Sequence, residues 1–212
     1  STQTICANEI PQELAVTYTS QNGTGAATYQ WYSNTTDSND ITSATQMTTA
    51  TNSSFTPAVA DLTPNANTFF FVTITLDGCT EKASQVFTVE VAPEISFTAQ
   101  PEQTQEVCEG GIATSLSAPI QGAGTNGATY QWYQSETNDI TQGTLIATTS
   151  TYTPPTDVTG SLYYYVIVTT TQGCTITSET ASVTVNAALE ITITPSTEPV
   201  SYTHLTLPTR SY

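Results

Sequence analysis

Apolar and polar residues alternate along much of this chain, in short runs. The segments 87–91, 95–98 and 182–185 place Val, Ile or Phe at every second position, with Thr, Ser or Glu between them. A period of two predicts half-buried β-strands, and the plentiful Thr, Val, Ile and Tyr suit a pleated surface. Long apolar stripes at helical spacing are missing, so the pattern predicts an all-β fold.

The first half of the chain recurs in the second half. Three segments return roughly 95–100 residues later, a period too long for solenoid repeats, whose units span roughly 20–50 residues. The pairs are 27–32 with 128–133, 69–72 with 163–166, and 78–80 with 173–175. Each copy holds about seven short strands separated by turn residues, which is typical of a β-sandwich. We therefore predict two sandwich domains, residues 1–92 and 93–188.

The start of a third repeat follows. Residues 190–194 (EITIT) match residues 94–98 (EISFT), so we assign 189–200 to a third copy. Residues 201–212 break the repeat and hold the single histidine, His204. This stretch resembles translated sequencing-adapter read-through, with a divergent natural strand as the alternative, and we assign it no function. We interpret the chain as a mature fragment of a longer protein.

Two features point to a known family. Trp31 and Trp132 each lie on a central strand, and an Asp-x-x-Gly-x-x-Tyr-Tyr run, residues 157–164, precedes the strongest strand. With the Thr-rich Y-Q-W centre and the G-C hairpin, they resemble the immunoglobulin-like repeats of large surface adhesins of gliding bacteria, exported by type IX secretion. The resemblance implies two such sandwiches end to end, outside the cell or on its surface. Trp31, Trp132, Val72 and Val166 would form the core.

The chain has four cysteines, two in each repeat. One pair per module suggests disulfides within modules, Cys6–Cys79 and Cys108–Cys174. Metal binding is a poor alternative because C-x-x-C is missing, and free core thiols are the other. A geometric objection stands beside this prediction. An immunoglobulin topology could place the first turn and the last hairpin at opposite ends, too far apart for a bond.

The negative charge of the chain restricts which macromolecules it can bind. The chain has 18 Asp and Glu residues against 2 Lys and Arg, a formal net charge of −16. Nucleic acids and anionic membranes are recognised through Lys and Arg, so neither is an expected partner. No apolar stretch of roughly 20 residues is present, so we expect no membrane insertion.

Catalytic and metal-binding candidates are weak. The modules contain no histidine and hardly any base, so their many Ser and Thr hydroxyls lack an activator, and we predict that the chain is not an enzyme. We expect no cofactor. Calcium is a minor possibility, since hard oxygen ligands are common in the loops. Asp37, Asp40 and Asp139 are the candidates, with a solvated acidic surface as the simpler interpretation.

An aromatic stripe is the remaining candidate site. If Trp31 points inward, alternation sends its neighbours on the same sheet outward. The outward residues would be Tyr32, Phe69 and Phe71 in the first copy, and Tyr133, Tyr163 and Tyr165 in the second. Such stripes bind sugars or neighbouring subunits, but they also stabilise sheets through cross-strand pairs. We favour sheet stabilisation or module packing.

The sequence thus predicts a non-catalytic stalk or adhesive module of a surface or filamentous adhesin. A short, stiff joint at 92–94 would hold the modules in line, because Pro93 fixes its own φ and restricts Ala92. Its partners would be neighbouring repeats, with surface glycans or like subunits as further candidates. Two alternatives remain open: a carbohydrate-binding accessory module of a secreted enzyme, and a polymerising pilus-like subunit.

Overall fold

The computed structural model describes residues 1–19, 25–77, 79–122 and 125–194. The proposed tail at 201–212, and the third copy beyond residue 194, lie outside the described residues. We call the part containing strands β1–β8 module 1 and the part containing β9–β18 module 2.

Module 1 is built from eight short strands and one turn of 3₁₀ helix, Val59–Asp61. The strands are β1 Thr2–Ile5, β2 Leu14–Ala15, β3 Ala27–Asn34, β4 Thr45–Gln46, β5 Ser54–Phe55, β6 Asn67–Leu76, β7 Lys82–Ala83 and β8 Phe87–Val91.

Module 2 repeats this order and adds two short strands. Its strands are β9 Ser96–Phe97, β10 Thr104–Cys108, β11 Leu116–Ser117, β12 Ile120–Gln121, β13 Thr129–Ser135, β14 Thr144–Ala147, β15 Thr151–Tyr152, β16 Gly160–Thr169, β17 Thr175–Thr177 and β18 Ala181–Asn186.

The two modules share one topology. The large sheet of module 1 has the order β1-β8-β6-β3-β4 with β7 beside β6, and module 2 has β10-β18-β16-β13-β14 with β17 beside β16. A second layer consists of β2 with β5 and of β11 with β15. The first strand of each large sheet runs parallel to the last, β1 with β8 and β10 with β18, whereas the other pairs are antiparallel.

The core of each module lies between these layers, around one tryptophan. Trp31 pairs with Val72 across β3 and β6, and Trp132 pairs with Val166 across β13 and β16. The two tryptophans are 3% and 0% exposed, and both valines are 0% exposed. Each indole N–H donates to a loop carbonyl, that of Asn52 at 2.9 Å and that of Thr149 at 3.0 Å. Each indole ring is therefore buried while its N–H group keeps a hydrogen-bond partner.

The cores differ at two aromatic positions. Module 1 packs Phe55 against Phe70, with ring centroids 6.1 Å apart, whereas module 2 packs Tyr152 against Tyr164 at 5.6 Å. Burial, together with the nearby Tyr152, raises the pKa of Tyr164 to about 12. Burial also raises the pKa of Tyr152. An ionised phenolate is disfavoured there because the low-polarity core cannot solvate it.

Module 2 should lose stability at alkaline pH through Tyr164, whose counterpart in module 1 is Phe70, a residue that does not titrate. Unfolded tyrosine releases its proton near pH 10, whereas folded Tyr164 holds its proton until about pH 12. The unfolded state therefore binds fewer protons than the folded state in this window, so the free energy of unfolding falls as pH rises.

Urea unfolding between pH 8 and pH 11, followed by tryptophan fluorescence, tests this. Trp31→Phe leaves Trp132 as the reporter of module 2, and Trp132→Phe leaves the reporter of module 1. Tyr164→Phe, which copies Phe70 of module 1, should reduce the pH dependence of module 2, leaving the smaller part that comes from Tyr152 and Tyr165. Equal slopes for module 2 in the parent and in Tyr164→Phe would contradict the assignment.

Candidate functional site

The first cysteine of each module lies at the end of the module from which the chain exits. Because β1 runs parallel to β8, Ile5 pairs with Val91, so Cys6 lies beside the residues that leave module 1. A tight turn fixes Cys6: the Glu9 N–H donates to the Cys6 carbonyl at 3.1 Å, and the Cys6 N–H donates to the Glu9 carboxylate at 2.9 Å. The sequence signal is the pair Asn8 and Glu9, since Asn tolerates the left-handed φ of 66° found at Asn8.

The second cysteine of module 2 lies in the hairpin between β16 and β17. The Thr170 N–H donates to the Cys174 carbonyl at 2.8 Å, and the Cys174 N–H donates to the Thr170 hydroxyl at 3.1 Å. Gly173 takes a φ of 90°, which glycine adopts without a steric penalty. Cys174 is 8% exposed. The hairpin thus places the Cys174 sulfur at the entry end of module 2.

These two cysteines form a disulfide between the modules. Cys6 and Cys174 are bonded with an S–S distance of 2.05 Å and a Cα–Cα distance of 5.6 Å, across a sequence separation of 168. The predicted pairs within modules, Cys6–Cys79 and Cys108–Cys174, are therefore wrong. Cys79 and Cys108 are free and exposed.

Strand direction explains the correction. β6 has 10 residues and spans roughly 33 Å. Asn67 at its start pairs with Glu90, next to the exit end of module 1, whereas Cys79 follows the far end of β6. A disulfide requires Cα atoms within about 7 Å. Cys6 and Cys79 lie at opposite ends of one sheet, and the hairpin of the next module brings Cys174 to Cys6 instead.

The chain between the modules is short and packed. The Ala92 N–H donates to the Ile5 carbonyl at 2.8 Å, and the Glu94 N–H donates to the Asn65 side-chain oxygen at 3.2 Å. Ala92 is 1% exposed and Ile95 is 6% exposed. A cavity of about 140 Å³ beside the disulfide is lined by both modules. The joint combines a covalent link between the modules with hydrogen bonds that hold residues 92–94 against module 1, and together these restrict how the modules bend relative to each other.

The aromatic stripe lies on the outer face of each large sheet, as expected, but loops cover much of it. Tyr32 stacks on Phe71 and Tyr133 stacks on Tyr165, both with ring centroids 5.2 Å apart. Phe71 is 0% exposed and Tyr165 is 2% exposed. A sugar-binding ring must offer a free face, so a ligand-binding role is wrong for these two residues. Tyr32, Phe69, Tyr133 and Tyr163 are half-buried.

The covering loops follow β3 and β13. The Asn39 side-chain N–H donates to the Ser84 carbonyl at 2.9 Å, which holds the first loop across the sheet, and Thr180 is hydrogen-bonded to Asn138 in module 2. Gly143 of the second loop lies so close to Tyr165 that an added Cβ would come within 2.7 Å of its hydroxyl oxygen.

The acidic calcium candidates lie in these loops. Hydrogen bonds from the backbone and side chain of Thr42 lower the pKa of Asp40, and those of Thr141 lower the pKa of Asp139. Both carboxylates thus have a structural role in closing the loop. Asp37 is exposed in the first of them. Among the described residues, no three His, Cys, Asp or Glu side chains are grouped as a metal site.

The fold and the joint define the class of protein: two tandem immunoglobulin-like β-sandwich domains, an architecture typical of adhesion or extracellular modules. The chain belongs to the family described as "Domain of unknown function (DUF8696)", which matches residues 1–93 and 98–187, one copy in each module. No curated protein matches the chain with significant sequence similarity. Within the described part of the chain, no helix is long and apolar enough to span a membrane.

Several solved structures are similar to this chain at low sequence identity. The three N-terminal domains of the bacteriophage RB49 Highly Immunogenic Outer Capsid protein are 13% identical with a TM-score of 0.52, covering 87% of this chain and 67% of that chain. Fibronectin(III)-like modules of Clostridium thermocellum CbhA are 15% identical with a TM-score of 0.38, covering 91% and 94%. Sidekick-1 immunoglobulin domains 1–5 are 16% identical with a TM-score of 0.31, covering 76% and 33%.

Breaking the disulfide should loosen the joint without unfolding either module. Cys174→Ser removes the link but keeps the hairpin hydrogen bonds, which are made by the backbone and Thr170. Small-angle scattering should then show a broader distribution of particle dimensions than the parent chain. Urea midpoints of the two modules should change little, because each keeps its own core.

Cys79→Ser is the matched control for this experiment, since Cys79 is free and exposed in the equivalent hairpin of module 1. Its scattering should equal that of the parent chain. If Cys174→Ser also gave the parent's scattering, the disulfide would not be what restrains the joint.

Proposed function

We propose that this chain is a mechanical spacer of an extracellular adhesin, in which adjacent immunoglobulin-like domains are clamped to one another by disulfides. The observation that carries the proposal is the Cys6–Cys174 bond. A disulfide inside a domain stabilises that domain alone. One that joins consecutive domains fixes their relative position, which is useful where a row of domains must transmit force or hold a distal element away from the cell.

The position of the bond defines a short path for tension. Force applied at Ser1 passes along β1 to Cys6, crosses the disulfide to Cys174, and leaves through β17 and β18. This path bypasses the chain between the two cysteines, whose sequence separation is 168. Fully extended, that length of chain would span roughly 600 Å. While the disulfide is intact, the force bypasses residues 7–173, so the strands between them are not extended. A clamped chain stays short under loads that would extend an unclamped one.

Composition supports an exported protein. Disulfides persist in oxidising environments outside the cell, and a net charge of −16 favours solubility and disfavours adsorption to anionic surfaces. The resemblance to adhesin repeats of gliding bacteria supports a position of the spacer on a cell surface. Its direct partners would be neighbouring repeats, and we propose no enzymatic activity and no cofactor.

The carbohydrate-binding alternative has less support. Its candidate rings on the outer sheets include Phe71 and Tyr165, which the loops after β3 and β13 cover. Binding of glycans to the isolated chain in an array, lost on Tyr32→Ala and Tyr133→Ala, would favour the alternative over the spacer.

Pulling single molecules by their ends tests the spacer. Under oxidising conditions the chain should extend only by the segments outside the disulfide loop. After reduction the same molecules should release roughly 600 Å more, as the modules unfold. Cys6→Ser should behave like the reduced chain under both conditions.

Cys108→Ser is the control, because Cys108 occupies the same turn in module 2 but is not bonded. It should keep the short extension of the oxidised parent. Full extension of the oxidised parent, equal to that of Cys6→Ser, would overturn the proposal.

A further inference from the structure

A small pocket lies at the exit end of module 1, beside the joint between the modules. It has a volume of about 220 Å³, and Ile5, Val91, Val59 and Leu62 form its apolar part. Ile5 and Val91 are buried, whereas Val59 is 37% exposed and Leu62 is half-buried, so the pocket runs from the surface toward the core. β1 brings the chain to this end, and residues 92–94 lead away from it into module 2. The chain on both sides of the pocket is therefore described.

The outer wall of the pocket is an addition to the repeated fold. Between the Thr-Pro pair and the three consecutive aromatic residues of the long strand, module 1 has eleven residues, 58–68, whereas module 2 has eight, 155–162. The longer segment forms the 3₁₀ helix Val59–Asp61 and a turn at Pro64 and Asn65, which line the pocket together with the helix. Module 2 closes the same sandwich without these extra residues, so the shared core does not account for them.

The joint holds this wall in place. Asn65 has a φ of 55°, in the left-handed region that few residues other than glycine and asparagine occupy. Its side-chain oxygen accepts a hydrogen bond from the Glu94 N–H at 3.2 Å. The turn that begins at Cys6 forms another wall, and the bond to Cys174 fixes it. Walls that are fixed before a ligand arrives reduce the entropy that binding costs.

The mouth of the pocket is acidic. Glu94 lines the pocket and is exposed, Glu9 is exposed on the neighbouring turn, and Asp61 ends the 3₁₀ helix. Lys82 is the only Lys, Arg or His side chain among the described residues. It lies on β7 and pairs with Ile74, near the far end of β6 from the pocket. No Lys, Arg or His side chain in the described part of the chain therefore neutralises these carboxylates.

Size and polarity together indicate what fits. Pockets for drug-sized ligands have volumes of roughly 300–1,000 Å³, so this one suits a single side chain. Lysine combines an apolar stem that packs on aliphatic residues with an ammonium group that stays near water. A guanidinium group is planar and prefers paired acceptors. Among the described residues, no three carboxylates are grouped as a metal site, so a metal ion is not the expected occupant.

Two amide side chains favour a lysine carried by a peptide over a free amine. Asn8 and Asn65 line the pocket and are exposed. Asn65 accepts the Glu94 N–H through its oxygen, and its NH₂ group still has two donors. The peptide groups on either side of a lysine can pair with such amides, whereas a free amine has none to offer.

We propose that this pocket binds a lysine side chain of a partner protein, with the stem packed on Val59 and Leu62 and the ammonium group paired with Glu94. The ammonium group is charged at neutral pH. The inference goes beyond the spacer role and does not require it, because module 1 and the residues after it build the pocket. It gives a row of domains a defined contact with a second protein.

Titration of the isotope-labelled chain with Nα-acetyl-lysine-N-methylamide, followed through amide NMR shifts, tests the pocket. The shifts should saturate and should be confined to residues 5–8, 59–65 and 91–94. The dissociation constant should be on the order of a millimolar, because one side chain makes few contacts.

Three related probes separate the contributions. Nα-acetyl-norleucine-N-methylamide keeps the apolar stem and the peptide groups but lacks the ammonium group, and it should bind at least about tenfold more weakly. n-Butylammonium keeps the stem and the charge but lacks the peptide groups, and it should bind about threefold more weakly. Methylammonium lacks the stem and should give no saturable shift.

Two matched pairs of variants locate the contact. Glu94→Gln keeps the backbone N–H that holds Asn65 but removes the charge, and it should weaken binding of the lysine probe about tenfold. Glu106→Gln, at an exposed carboxylate on β10, should leave binding unchanged. Val59→Thr introduces a hydroxyl into the apolar wall and should weaken binding about threefold. Val158→Thr, at an exposed valine of module 2, should leave binding unchanged.

Three results would overturn the proposal. Shifts that spread over the acidic residues of both modules without saturation would indicate ordinary counterion binding. Equal affinity for the norleucine probe would contradict the pairing with Glu94, and equal affinity for n-butylammonium would replace the partner protein with a free amine. None of these results depends on pulling the molecule, so the spacer role is tested separately.

Discussion

The parallel pairing of the first and last strands of each large sheet sets the plan of this molecule. Because β1 runs beside β8 in the same direction, Cys6 lies at the exit end of module 1. Because β16 and β18 are antiparallel, the hairpin carrying Cys174 lies at the entry end of module 2. The bond between modules follows from these two directions. Reversing either pairing would place both cysteines of a module at the same end and allow them to bond to each other.

Much of the fold could be predicted from the sequence. The alternating runs and the repeat indicate two sandwiches, and Trp31 and Trp132 fall at equivalent core positions because each faces a valine across the central pair of strands. These features depend on short-range patterns that recur twice. Strand order, by contrast, is a long-range property. The cysteine pairs were predicted from the repeat alone, and the objection that an immunoglobulin topology could separate the first turn from the last hairpin is the one that the structure supports. The repeat pairs the two cysteines of one copy with each other, whereas the disulfide joins cysteines of neighbouring copies.

The aromatic stripe shows a second limit. Strand alternation correctly assigns Phe71 and Tyr165 to the face away from the core, yet both are buried. What covers them are the loops after β3 and β13, whose paths depend on single contacts such as Asn39 with Ser84. Such a contact has a weak signal in sequence. Asn39-Asp40 and Asn138-Asp139 recur in the two copies, and this recurrence is the sequence signal that the loops share one structure.

The central claim is that disulfides in this protein join consecutive domains. Non-reducing digestion with a glutamyl endopeptidase, followed by mass spectrometry, tests it most directly, because the chain has only 2 Lys and Arg residues but many Glu. We predict a linked pair of peptides containing Cys6 and Cys174, with Cys79 and Cys108 free to react with an alkylating agent in the monomer. Linked peptides containing Cys6 with Cys79, and Cys108 with Cys174, would contradict the account.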